Sequence, residues 1–196
     1  MLKVAVAVFA LVAVCYAQPP LKPPMIPETF MTEIDVHIAE HGRERLMGKG
    51  KWERDEMKMA ATRSVEFKEW KDNVTFTDMH LEKFDTKMAY DVEMNSTGTY
   101  CMKHAIKLPS MPKVWEWLQK ATGDRHMDPR SKMEVDRWTL RLEDGNDIVL
   151  FVADDKPNVP LALFSFGRHG AEEVRFTSFV AMAPPSSDFD PPPSCA

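Results

Sequence analysis

The closest match to a catalytic motif in this chain is at residues 37–41, which read HIAEH and fit the H-x-x-E-H pattern of inverted zinc proteases. In such enzymes the two histidines lie one turn apart on a helix, and the glutamate lies beside the metal-bound water. Here the flanking residues alternate between apolar and polar, as in a strand, and Gly42 ends the segment. Two strand residues four apart are separated by about 13 Å, too far to share one zinc ion. We therefore predict no metal site at this motif.

No other segment carries a recognisable catalytic pattern. The chain has no G-x-S-x-G nucleophile elbow, and residues 48–50, Gly-Lys-Gly, have the composition of a turn rather than of a phosphate-binding loop. His80, His104, His126 and His169 are isolated from one another in the sequence. We predict that the protein is not an enzyme and uses no cofactor.

The first 17 residues have the features of a secretory signal peptide. Lys3 precedes an apolar run from Val4 to Val14, and Ala17 is the small residue before the expected cleavage site. The run is too short to span a bilayer, and no second apolar stretch of that length follows. We predict a secreted, extracellular protein without a transmembrane segment. The expected organisation is a signal peptide at 1–17, a proline-rich extended leader at 18–28 and a single domain at 29–196.

The net charge of −5 is modest and the basic residues are scattered, which argues against a nucleic-acid partner. Removal of the signal peptide takes Cys15 away and leaves Cys101 and Cys195. An even number of cysteines in an oxidising compartment predicts one disulfide, and two free thiols are the alternative. Two sequons, at Asn73 and Asn95, predict exposed turns and N-glycosylation.

Period-two alternation dominates the rest of the chain. From Trp52 to Trp70 it predicts one long, half-buried strand, with residues 42–50 as a turn before it. The strands up to residue 106 follow one another through short polar turns, which predicts an antiparallel meander. Besides 52–70, the predicted strands are 30–38, 74–84, 88–94, 99–106, 133–142, 148–153, 161–166 and 174–182.

Between Ser110 and Gly123 the pattern changes to helical spacing, with apolar residues at i, i+3, i+4 and i+7. Ser110 is the expected N-cap and Gly123 the expected C-cap. We predict a short amphipathic helix that carries Trp115 and Trp117 and covers the open face of the sheet.

Methionine is abundant: the chain has 14 Met, with 11 Phe and five Trp. Flexible Met side chains suit a pocket for apolar ligands, but they also fill ordinary cores. If the sheet encloses a ligand site, strand parity predicts the lining, and the two helical tryptophans should lie at or near its mouth. The predicted ligand-binding residues are Met57, Met59, Val65, Phe67, Met88, Tyr90, Trp115 and Trp117.

Several short motifs, together with the order of the elements, resemble the ependymin-related proteins and, more broadly, animal secreted proteins with the LolA-like fold. The similarity spans most of the chain after the signal peptide. The matching segments are Glu53-Arg54-Asp55, Tyr90-Asp91, Tyr100-Cys101, Val135-Asp136-Arg137-Trp138, Asn158-Val159-Pro160 and the stretch from Phe189 to Cys195.

The resemblance implies an α+β fold that is mainly antiparallel β, with a strongly curved, half-barrel sheet around a hydrophobic cavity and one or two short helices over it. It also implies binding of lipids, fatty acids or other hydrophobic molecules, homodimers in some members, and no catalysis. The function expected from this is a secreted glycoprotein that carries an apolar ligand. The alternative is an extracellular adhesive or matrix protein whose core is filled.

Overall fold

The computed structural model describes residues 21–69, 74–168 and 170–195. The predicted signal peptide, and Asn73 with the start of its sequon, lie outside these residues. The described chain forms strands joined mostly by short turns, with a longer connection at residues 106–121. Three brief 3₁₀ helices lie at Glu116–Lys120, Ser186–Phe189 and Pro193–Cys195. The strands are β1 (Phe30–Glu40), β2 (Arg43–Asp55), β3 (Ala60–Glu69), β4 (Thr75–Lys83), β5 (Met88–Asn95), β6 (Gly98–Ala105), β7 (Thr122–Met127), β8 (Glu134–Arg141), β9 (Asp147–Ala153), β10 (Lys156–Phe166) and β11 (Gly170–Val180).

All eleven strands form one open antiparallel sheet in the order β6-β5-β4-β3-β2-β1-β11-β10-β9-β8-β7. Two meanders, β1 to β6 and β7 to β11, are joined because β1 pairs with β11. The predicted fold class is confirmed. No helix among the described residues is long and apolar enough to cross a membrane.

The sheet is strongly curved. Val65 on β3 and Trp138 on β8 belong to one apolar cluster, although six strand spacings separate their strands. Arg63 on β3 also forms an ion pair with Glu172 on β11, although three strand spacings, about 14 Å in a flat sheet, separate these strands. This contact indicates that the sheet curves toward the face that bears the cluster. Two glycines on β2 permit a close approach of β3: a Cβ at Gly48 would lie 2.5 Å from the Val65 side chain, and one at Gly50 1.9 Å from the Ser64 carbonyl oxygen.

We call the face of the sheet that bears this cluster the inner face and the opposite one the outer face. Directly paired residues share a face, so the register assigns each strand residue to one of them. The fully or nearly buried residues of the inner cluster are Ile26, Phe30, Ile34, Val36, Val65, Phe67, Trp115, Leu118, Trp138, Leu150, Val152, Val174 and Phe176. The outer face carries two smaller clusters, centred on Leu81 with Phe189 and on Phe151 with Val135.

The predicted single strand from Trp52 to Trp70 is wrong, because β2 and β3 form a hairpin within it. Asp55 ends β2 and accepts hydrogen bonds from the backbone N–H groups of Met57 (2.9 Å) and Lys58 (3.3 Å). Met59 then takes a left-handed conformation, with φ of 48°. Residues 43–50 belong to β2 rather than to a turn. Alternation alone missed the reversal because no Gly or Pro marks it.

The predicted amphipathic helix between Ser110 and Gly123 is present only as the 3₁₀ helix Glu116–Lys120. The segment is held by the leader instead: the Glu28 carboxylate accepts hydrogen bonds from the N–H groups of Val114 (2.9 Å) and Trp115 (3.2 Å). The indole N–H of Trp115 donates to the carbonyl oxygen of Pro27 at 3.2 Å. Ile26, also from the leader, is buried in the inner cluster, so this part of the leader is packed against the domain.

The C-terminal segment crosses the outer face. Cys195 is buried and forms a disulfide with Cys101 on β6, with 5.5 Å between the Cα atoms, as predicted. Phe189 is buried beside Leu81, and the ammonium group of Lys58 lies 5.7 Å from the Phe189 ring centroid. The disulfide therefore fixes the end of the chain to the middle of the sequence.

Candidate functional site: the inner face of the sheet

Aromatic side chains fill one end of the inner face, where β1 begins. The Phe30 ring lies 5.6 Å from Trp52, 6.1 Å from Trp115 and 5.1 Å from Phe179, measured between ring centroids. Trp52 also stacks on Phe176 at 6.0 Å. These separations are those of aromatic rings in contact, so this end is a packed core.

Toward the β1–β2 turn the side chains of the inner face become more exposed to solvent. Along β1, Ile34 and Val36 are at most 1% exposed, whereas Ile38 is only partly buried. On the neighbouring strands Phe67 is buried, and the ring of Phe76 lies 5.6 Å from it. Partly buried apolar side chains therefore extend the buried cluster toward solvent. They include Ile38, Leu46, Phe76, Trp117 and Leu163.

Charged residues lie on the inner face beside this apolar surface. Arg63 on β3 bonds to Glu172 on β11, although two strands separate β3 from β11. His80 lies directly opposite Arg63 in the register and bonds to Asp91, with Glu82 at 3.6 Å. The nearby Glu82 carboxylate, together with the hydrogen bond to Asp91, raises the pKa of His80 to about 9. His80 is therefore a cation at neutral pH.

Four of the eight residues predicted to bind the ligand meet on the inner face. Val65, Phe67 and Trp115 are buried in the inner cluster, and Trp117 is packed against it. Trp115 is only 4% exposed, which places it inside the aromatic core rather than at a mouth. These four residues therefore belong to one continuous apolar surface.

The structure does not place the other four on that surface. Met57 is 92% exposed and Met59 41% exposed, because both lie in the β2–β3 turn. Tyr90 pairs with Leu81 on the outer face, and Met88 shares the parity of Tyr90. The prediction put Met57 and Met59 on the same face as Val65 and Phe67 by assuming a single long strand, and it placed Met88 and Tyr90 across the meander from them. Met57 and Met59 lie in the β2–β3 turn instead of in a strand. The register between β4 and β5 places Met88 and Tyr90 on the outer face.

The sequence does not point to Leu46, because the composition of residues 42–50 predicts a turn there. Nor does it point to the contributions of Ile38, Phe76 and Leu163 to the inner face. The alternation of Ile34, Val36 and Ile38 did indicate an apolar side of β1. The pairing between strands decides which sides of β1, β4 and β10 lie on the inner face. Alternation within one strand does not reveal that pairing.

The remaining predicted residues lie elsewhere. His37 is on the outer face of β1, where its Nδ1 lies 2.8 Å from the Glu44 carboxylate, and His41 is in the following turn with φ of 51°. In the described ranges, no three His, Cys, Asp or Glu side chains are grouped as metal ligands. Asn95 is exposed at the β5–β6 turn, and its side-chain oxygen accepts a hydrogen bond from the Thr97 N–H at 2.9 Å.

No protein-family model matches the sequence, and no curated protein matches it. The resemblance to ependymin-related proteins is therefore not supported by a family match. Among solved structures, the chain is similar to a Vibrio parahaemolyticus domain described as an outer membrane lipoprotein-sorting protein, with a TM-score of 0.36 and 7% sequence identity. The alignment covers 82% of this chain and 88% of that domain.

Proposed function

We propose that this protein is a secreted, non-catalytic carrier that binds a lipid, a fatty acid or another apolar molecule at the open end of the inner face. The observation that carries the proposal is the row of large apolar side chains, from Ile38 and Leu46 to Phe76, that are only partly buried there. These side chains are packed against the buried inner cluster and are not isolated apolar residues on the surface. A contiguous apolar surface on a concave face is the usual setting of a ligand site.

The expected affinity follows from apolar burial. Each methylene group taken out of water contributes about 0.8 kcal/mol, so an acyl chain with ten covered methylenes contributes about 8 kcal/mol before the costs of association. Those costs consume part of the gain. The charged residues around Arg63 and His80 lie on the same face, so an amphipathic ligand would find both apolar and charged groups on it.

The proposal includes secretion after cleavage at Ala17 and N-glycosylation at Asn73 and Asn95. The disulfide between Cys101 and Cys195 supports an oxidising compartment. Association into homodimers is an expectation from the resemblance alone.

The second candidate is an extracellular adhesive or matrix protein with a filled core. It is favoured by the aromatic cluster of Phe30, Trp52, Trp115 and Phe176, which occupies one end of the inner face completely. If the same dense packing continued to the other end under native conditions, the inner face would have no space for a ligand.

A fluorescent fatty-acid probe separates the two candidates. We expect saturable binding to the secreted protein, and Phe76→Ser should weaken it about tenfold by removing apolar contact at the open end. Val180→Ser is the matched control, because Val180 is exposed and lies on the outer face. Native mass spectrometry of the unheated protein should reveal co-purifying lipid. Absence of both lipid and probe binding would refute the carrier and favour the filled core.

A further inference from the structure

The outer face carries a second apolar depression, on the strands β8 to β10. Paired residues on these strands form the floor of the depression. Phe151 pairs with Arg137, Val149 with Thr139 and Phe164 with Val149, so all of them lie on the outer face. The depression has a volume of about 440 Å³. An adjoining one of about 240 Å³ shares Phe164 and Phe166 with it. The larger depression has the size of a site for a small molecule.

Aromatic rings form a continuous floor. The ring of His126 lies 5.8 Å from Phe151, Phe151 lies 4.9 Å from Phe164, and Phe164 lies 5.9 Å from Phe166. The planes of Phe164 and Phe166 are nearly parallel, at 4° to each other. Phe166 is 42% exposed, so part of this floor is open to solvent. Ring faces and edges of this kind are suited to another flat aromatic group.

The loop after β7 forms a fixed wall on one side. Its Asp128 is 2% exposed and accepts hydrogen bonds from both terminal nitrogens of Arg175 on β11, at 2.9 and 2.8 Å. The Ser131 hydroxyl donates to the same carboxylate at 2.6 Å. Arg130 pairs with Glu173 at 2.7 Å and contacts Nε2 of His37 at 3.1 Å. Because these contacts tie the loop to β1 and β11, Pro129 is held at the rim of the depression.

The charges at the rim are neutralised by partners. Arg137 forms two hydrogen bonds with the Asp124 carboxylate, one of them at 2.8 Å. Asp147 pairs with Arg141 at 2.9 Å. A ligand with a full charge would have to compete with these ion pairs, whereas an uncharged ligand would not. Thr139 contributes a neutral hydroxyl to the lining.

We propose that this outer groove binds a small, uncharged aromatic molecule, which packs on Phe164 and Phe166 against the wall formed by residues 128–131. The site is distinct from the inner face. Alternation places Phe164 and Phe166 on the side of β10 opposite to Leu163, which packs in the inner cluster. The strand residues that line the 440 Å³ depression are all on the outer face, so the sheet separates this depression from the inner face. The smaller adjoining depression also reaches Ile38 near the end of β1.

The test is a titration with N-phenyl-1-naphthylamine, an uncharged aromatic probe whose fluorescence rises in apolar surroundings. We expect saturable binding to the wild-type protein. Phe166→Ser removes an exposed part of the floor, and Thr139→Trp fills the depression without removing an apolar side chain. Both variants should bind the probe about tenfold more weakly. Val180→Ser, on the same face and 45% exposed in the wild type, should bind it unchanged.

The inner-face variant Phe76→Ser tests the outer groove and the inner-face carrier site independently. If the outer groove binds the probe, Phe76→Ser retains that binding even when it loses the fatty-acid probe. Excess laurate, which is anionic, should not displace the aromatic probe from the groove. Wild-type affinity in both Phe166→Ser and Thr139→Trp would overturn the outer groove, as would a complete loss of binding in Phe76→Ser. A protein that binds the aromatic probe but no fatty acid would retain the groove and refute the carrier.

Discussion

Replacement of Asp128 by alanine should destabilise the protein strongly, although Asp128 lies in a loop. Its carboxylate is buried and receives two hydrogen bonds from Arg175, one from the Ser131 hydroxyl and others from the N–H groups of Arg130 and Ser131. Arg175 is itself largely buried, with a side chain 17% exposed, and among the described residues Glu173 would remain as its ionic partner. Removing one member of a buried ion pair costs about 3–5 kcal/mol when the other charge is left without compensation. Because Glu173 still compensates part of the Arg175 charge, we expect a loss near the lower end of that range.

The assay is equilibrium unfolding in urea, followed by tryptophan fluorescence and by circular dichroism. For a domain of this size, a loss of that magnitude lowers the melting temperature by roughly 10 °C. Asp128→Asn keeps the shape of the side chain and should lie between the wild type and Asp128→Ala. Asp155→Asn, at an exposed turn position, is the control and should be nearly neutral. A change below about 0.5 kcal/mol in Asp128→Ala would refute the view that this ion pair anchors the loop.

The same residue predicts the pH dependence of stability. Hydrogen bonds from Arg175, and then from Ser131, hold the pKa of Asp128 well below its usual range. A carboxyl group with a depressed pKa in the folded state stabilises the protein above the pKa of the unfolded chain, near 4. That contribution is lost as the pH falls below about 4. The wild type should therefore lose more stability in acid than Asp128→Asn does, and equal slopes would contradict the assignment.

Three further predictions follow from the described residues and the sequence. Cys101 and Cys195 close a loop with a sequence separation of 94, so their reduction should cost up to roughly 4–5 kcal/mol in the chain-entropy model; thiol labelling of the unreduced, denatured secreted protein should modify neither cysteine. Glycosidase digestion should lower the mass in two steps, for Asn73 and Asn95, and a single step would leave one sequon unused. In NMR titrations His80 should lose its proton near pH 9, with stability contributed below about pH 6.5 and lost as the pH rises to 9; Asp91→Asn should lower that pKa, and a midpoint near 6.5 in the wild type would contradict the ion pairs.

The sequence by itself determined the class of the fold. Alternation of apolar and polar residues predicted β1 and β5 close to their observed bounds, because a strand with one buried face must repeat every two residues. The number of cysteines that remain after removal of the signal peptide predicted the pairing of Cys101 with Cys195. These are local or compositional properties, so a single chain without structural information suffices to find them.

Only the tertiary structure decided which residues of each strand lie on the inner face and which lie on the outer face. The β2–β3 turn is made by the Asp55 side chain and the left-handed Met59, neither of which interrupts the alternation, so Met57 and Met59 were assigned to a strand. Gly48 and Gly50, typical turn residues, instead lie in β2 where β3 approaches too closely for a side chain. Tyr90 lies on the outer face and Phe67 on the inner face. Residues paired across neighbouring strands share a face, so the register of each strand pair decides which residues of the next strand lie inside. Register depends on pairing between distant segments, and alternation within one strand carries no information about it.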